Sequence, residues 1–255
     1  MRLNINMIKY AVLSAMALFF TLNLNAQALE QGKFRIDAEL GTKIGGASPL
    51  GLPVEIREIK SFKPALPFFV GAKVSYGIDN KWGVRSGLIL EGKGMKTEAN
   101  VKAYKTTFNA DEDPSQNVRG YYYGDITTNV ENLYLTIPVL TTYQLSPAWS
   151  LQAGPYVSMA LQRKFYGLAT DGYIRDEEPT GEKVGIVDAA YDFKSQIRKV
   201  DVGMTVAGKY DFAKRYYATA QFDYGFNSIM KTDFESISFD MHNIFMNVGV
   251  GIRLF

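Results

Sequence analysis

Residues 133–161 read LYLTIPVLTTYQLSPAWSLQAGPYVSMAL, and this stretch decides the fold. Leu133, Leu135, Ile137, Val139 and Tyr143 fall on one face of a period-2 pattern. After a short polar turn, Leu151, Ala153, Pro155, Val157 and Met159 do the same. Period-2 alternation over this length predicts two β-strands with one apolar face. Tyr143 and Trp149 flank the turn, and both stand in phase with that face.

Outward from this hairpin, the same unit recurs. Alternating segments run over about Phe34–Ile44, Phe68–Gly77, Trp82–Lys93, Leu133–Gln144, Trp149–Leu161, Val200–Tyr210, Tyr216–Phe226 and Asn243–Phe255. The second, fourth and sixth are followed by short turns, GIDNK, QLSPA and DFAKR. The others are followed by long connections over 45–67, 94–132, 162–199 and 227–242. Short and long connections in strict alternation predict an all-β fold, an eight-stranded antiparallel up-and-down transmembrane β-barrel.

Aromatic placement sharpens this reading. Tyr76 and Trp82, Tyr143 and Trp149, and Tyr210 and Tyr216 flank the three short turns, all on the apolar face. Independent faces would place six residues so about once in 64. Rings with a polar tip settle at a membrane–water boundary, so these six predict a periplasmic aromatic girdle. A soluble ligand-carrying barrel would turn its apolar face inward. The clustered aromatics, the alternating loop lengths and the aromatic C-terminal strand argue against it.

The opposite face is charged. It carries Arg35, Asp37, Glu39, Lys73, Arg85, Glu91, Lys93, Asp201, Lys209, Asp223 and Arg253. An eight-stranded lumen is just wide enough for side chains to fill it. Unpaired buried charges cost several kcal/mol, so these residues predict an ion-paired plug and not a water channel.

The first residues are expected to be a cleavable signal peptide over 1–26, ahead of a barrel domain over 27–255. Arg2 and Lys9 precede the apolar run Tyr10–Leu22, and Ala26 and Ala28 allow cleavage before Gln27 or Leu29. An uncleaved N-terminal anchor is the alternative. No later apolar run reaches 18 residues, so no transmembrane helix is expected. The chain of 255 residues carries 28 basic and 26 acidic residues and no cysteine. That composition excludes thiol catalysis, cysteine metal sites and disulfides, and offers no basic patch for nucleic acid.

Candidate chemical residues are few. His242 is the one histidine, and stands near Ser236, Ser238 and Asp240. A hydrolase modifying lipid A would need base, nucleophile and orienting acid within hydrogen-bond reach, and this spacing does not require that. Asp111–Asp113 and Asp176–Glu178 lack calcium-loop spacing. Tyr121–Tyr123 suit either a sticky surface or a strand continued above the membrane. The expectation is a non-enzymatic protein without cofactor or metal.

Several motifs carry a resemblance. YLTIPVL at Tyr134–Leu140, AGPYVS at Ala153–Ser158, VDVGMTVAGKYDF at Val200–Phe212, QFDYGFNSI at Gln221–Ile229 and VGVGIRLF at Val248–Phe255 resemble the porin-like outer-membrane β-barrel domain family of Gram-negative bacteria, in particular its PorT-like group. One departure is that Ile252 and Leu254 are in phase with the apolar face while Phe255 lies one residue beyond. The expected role is to present the long loops for binding or adhesion, or to support envelope integrity. The resemblance implies an outer-membrane location without fixing one activity, and its PorT-like side allows an accessory of a protein-secretion machine. It implies as partners outer-membrane lipid and lipopolysaccharide, the barrel-assembly machinery acting on the C-terminal strand, and an extracellular or envelope protein.

Overall fold

A computed structural model describes residues 31–109, 117–176, 178–234 and 236–254. The expected leader, Phe255, Asp111–Asp113 and Glu177 lie outside the described residues. Among the described residues eleven strands follow one another: β1 (Phe34–Ser48), β2 (Ile56–Ala65), β3 (Phe68–Gly77), β4 (Trp82–Asn109), β5 (Asn117–Gln144), β6 (Trp149–Gln162), β7 (Phe165–Asp176), β8 (Lys183–Asp192), β9 (Val200–Asp211), β10 (Tyr216–Gly225) and β11 (His242–Arg253). One 3-10 turn, Lys194–Gln196, precedes β9.

Eight of these strands close a ring. Antiparallel ladders join β1–β3–β4–β5–β6–β9–β10–β11, and β11 returns to β1. Closure removes the free edges that an open sheet would expose. Within the ring the alternation behaves as expected. Leu40, Val74, Val84, Val139, Val157, Val206 and Val250 are exposed on the outer face. Pro138 sits inside β5, six residues before its end, where a proline costs a ladder donor. The β4–β5 ladder is interrupted there, between Ser86↔Val139 and Ile89↔Thr136. The Pro138 carbonyl accepts instead from Ser86 Oγ at 2.8 Å.

The long connections differ from the expected loops, because much of their length is strand. β4 and β5 are 28 residues each and stay paired as far as Asn109↔Asn117. A tilted membrane strand needs only about 9–11 residues, so much of this hairpin rises above the band. β2 pairs with upper β4, β7 with upper β5, and β8 with β7.

The alternation of β4 and β5 changes sense at one level. Below it the outward residues are apolar: Val84, Leu88 and Leu90 on β4, and Leu133, Leu135 and Ile137 on β5. Above it the inward residues are apolar: Met95, Ala99 and Val101, facing Ile126 and Val130. The change falls between the paired rows Gly92↔Leu133 and Met95↔Val130. The upper lumen therefore holds a hydrophobic core, with Tyr122, Phe165, Ala169, Ile174, Tyr191, Ile197 and Ile229 nearly inaccessible. Higher still, Ala103 has φ 54 and the register slips between Val101 and Tyr104, which returns Tyr104 to the inside.

Candidate functional site

Three zones stack along the lumen and wall. The first is the plug. Asp37, Glu39, Lys73, Arg85, Glu91, Asp201, Asp223 and Arg253 are all buried. Arg35 is half-buried, at the short-turn mouth beside Asp37 and Arg85. Lys93 and Lys209 are buried with them, and so are Lys43 and Asp211, which the sequence reading passed over. Lys43 lies in phase with Arg35, Asp37 and Glu39, so strand parity alone could have found it. Asp211 lies one step past Tyr210, within the segment read as turn.

Among the described residues the buried charges balance: Asp37, Glu39, Glu91, Asp201, Asp211 and Asp223 against Lys43, Lys73, Arg85, Lys93, Lys209 and Arg253. Arg85 reaches Asp37 at 2.9 Å and Glu39 at 3.3 Å. Lys73 reaches Glu39 at 2.9 Å. Tyr217 Oη accepts from Arg85 at 2.8 Å and donates to Glu39 at 3.1 Å. Further up, Lys43 pairs with Glu91, and Lys93 bridges Asp201 at 2.7 Å and Glu91 at 3.3 Å. Lys93 also lies over the rings of Tyr134 and Tyr156. Thr205, Gln221 and Asn247 all donate to Asp223. Neutral donors around paired charges are what makes such burial tolerable.

The second zone is the aromatic ring at the short-turn end. Its members pair across strands joined at the far end by long excursions: Phe34 with Tyr76 at 4.8 Å, Trp82 with Tyr143 at 4.7 Å, and Trp149 with Tyr210 at 4.6 Å. The fourth interface breaks the rule. Tyr216 faces Ile252 and stacks at 6.4 Å on Phe212 instead.

The third zone is an apolar cavity of about 400 Å³ in the upper lumen. Its wall includes Met95, Ala99, Val101, Tyr104, Ile126 and Phe165, with Phe239 and Met241 from the segment before β11. Burial pushes the Tyr104 phenol well above its ordinary value, so it stays protonated. Neither the cavity nor the upper core was predicted from sequence.

His242 is half-buried at the rim, its Nδ1 3.0 Å from the Gly225 carbonyl, its ring stacked on Tyr224. Ser238 Oγ donates to Glu55 at 3.0 Å. Tyr121–Tyr123 continue β5. Tyr122 turns inward and donates to the Thr170 carbonyl at 2.7 Å, and burial pushes its hydroxyl up to about 12. Tyr123 stacks on Tyr173 at 4.9 Å, 9° from parallel.

A closed antiparallel ring of eight strands, apolar without and charged within, defines a transmembrane β-barrel of the bacterial outer membrane. The chain belongs to the outer membrane protein beta-barrel domain family, whose sequence profile matches residues 25–231. It is an outer-membrane protein. Among solved structures it is similar to Ail, the attachment invasion locus protein of Yersinia pestis, with 13% identity over 88% of this chain and 99% of that one, at a TM-score of 0.39. It is similar also to the N-terminal β-barrel domain of Pseudomonas aeruginosa OprF, with 12% identity over 88% and 100% of the two chains, at 0.33. OprG from the same organism aligns with 10% identity over 90% and 99%, at 0.32. The chain has no match among curated protein sequences.

Proposed function

We propose that this protein is a non-enzymatic, non-conducting barrel that presents an ordered β-structured platform outside the cell for binding or adhesion. The observation that carries the reading is the upper hairpin of β4 and β5, which continues one ladder beyond the lipid-facing band and encloses its own core. A structure whose only task was to sit in the membrane would need neither. The short turns then face the periplasm, with Tyr76, Trp82, Tyr143, Trp149, Tyr210 and Tyr216 as the periplasmic girdle. The paired plug supports the absence of a diffusion path. The partners that fit are outer-membrane lipid and lipopolysaccharide around the wall, the barrel-assembly machinery at the C-terminal strand, and a protein ligand on the platform.

The test replaces residues 96–129 and 165–192 each by a short glycine-serine turn, which removes the upper β4–β5 hairpin with β7 and β8 and keeps the eight-stranded ring, and checks folding by heat-modifiable gel mobility. Cells with the shortened protein should lose surface binding or partner capture that cells with the full chain show. Equal binding by both would overturn the reading.

The motifs YLTIPVL and AGPYVS favour a second reading, an accessory of a protein-secretion machine akin to the PorT-like group. A stoichiometric envelope partner retained after mild detergent extraction, whatever the state of the platform, would mark it.

A further inference from the structure

The apolar cavity has a doorway. β2 forms its ladder with β4, and no described ladder joins its other edge to β1. Above Thr42, β1 pairs with β11 alone. The wall is therefore complete at the level of the bilayer and has a seam above it, between upper β1 and β2. Two glycines stand on the β1 side of this seam, Gly45 and Gly46. Gly45 has φ +145, where a Cβ would meet the Ile244 carbonyl of β11 on the side away from the seam, and neither glycine puts a side chain into the doorway. On the β2 side Ile59 and Phe62 line the cavity, yet remain 53% and 43% exposed. Ile44, exposed next to Gly45, belongs to the upper end of the lipid-facing band. The seam thus opens where the membrane surface ends.

We propose that the cavity is a binding site for a small, uncharged, apolar molecule that enters from the outer leaflet through the seam between β1 and β2. None of the described residues lining it is charged, so an ionised ligand would lose its hydration without a partner. Its volume exceeds the roughly 150 Å³ of a benzene-binding engineered cavity and falls within the range of about 300–1,000 Å³ for small-molecule pockets. Met95, Met241 and Phe239 give walls that adapt to an irregular apolar shape. The inference is independent of what the outer surface of the platform binds.

The experiment uses the full protein in phospholipid nanodiscs with a neutral alkyl diazirine, photolysed and mapped by peptide mass spectrometry. Adducts are expected on inward Met95 and Ile126, suppressed at least tenfold by excess decane. Adducts on lipid-facing Val139 and Val250 serve as the internal reference and should persist. Ala99→Phe, which fills the cavity, should abolish the inward adducts and spare the reference. The decane competition in the unmodified protein stands even if that variant fails to fold. Adducts confined to the lipid-facing positions would overturn the proposal. So would equal inward labelling by a phospholipid carrying the diazirine on its acyl chain.

Discussion

Val139→Arg tests the inside–outside assignment most directly. Val139 is exposed on the outer face of β5, opposite Ser86. From Leu133 at the top of the apolar band to Tyr143 in the aromatic ring is ten steps along one strand. At about 3.3 Å per residue and a tilt near 40°, that distance is about 25 Å along the membrane normal, which matches the usual height of the lipid-facing band. Val139 lies four steps above Tyr143, about 10 Å from the ring and within a few Å of the midplane. An arginine there should cost about 2–4 kcal/mol. The control is Thr127→Arg, on the outer face of the same strand but above the level where the alternation changes sense, which should stay within about 0.5 kcal/mol of the unmodified protein. Both are read by urea titration of folding into short-chain lipid vesicles. Trp82 and Trp149, the two tryptophans of the chain, report fluorescence from the membrane boundary. Equal stability of the two variants would refute the assignment of the lipid face.

Arg85→Ala should leave Asp37 and Glu39 short of a partner and destabilise the barrel by about 3–5 kcal/mol, measured by the same titration. Neither it nor the unmodified protein should give steady conductance in planar bilayers, and a reproducible channel from the unmodified monomer would sink the plug. The exposed pair Lys60–Asp125, 2.6 Å apart, ties β2 to β5 across β4. Its hydrogen bond holds the Asp125 carboxyl below its ordinary 3.8 and the Lys60 ammonium above its ordinary 10.5. The depressed acid contributes above 3.8 and loses its contribution as pH falls through its lowered value. The raised base contributes below 10.5 and loses its contribution as pH rises through its higher value. Protection of β2 amides, corrected for intrinsic exchange, should be flat from about pH 5 to 8 and fall in strong acid, and an unchanged profile in Lys60→Met would show that the pair does nothing. Protease added to intact cells should cut the turn at 178–182 and spare the turns at 78–81 and 145–148, and the reverse would invert the topology.

The membrane half was legible because one rule governs all of it. Apolar residues out and polar or charged residues in, at period 2, marked six of the eight ring strands within about four residues, β3 at both ends, but of β4 and β5 only the membrane parts, Trp82–Lys93 and Leu133–Gln144. The upper half obeys the same period with the faces exchanged. KGMKTEANVKAY at 93–104 alternates as strictly as any membrane strand, but its apolar set Met95, Ala99 and Val101 stands in the phase that carried charges below. A search for apolar residues in the membrane phase therefore reads this segment as loop. β2 is harder still. Most of its residues are exposed on both faces, so burial leaves little periodic signature there. The cavity depends on the seam between β1 and β2, and a missing ladder has no trace in the residues themselves.

The reversal between Gly92↔Leu133 and Met95↔Val130 limits how such a chain can change length over generations. Because side chains alternate strictly, a single inserted residue just above that row would swing Met95, Ala99 and Val101 out to water and bring Lys96 and Glu98 inside. Two inserted residues would leave every face where it was and only raise the hairpin. Insertions and deletions in this hairpin should therefore be tolerated in pairs, or singly only beside a compensating bulge such as the one at Ala103. Height above the membrane is a trait that can drift by even steps while the wall below stays fixed.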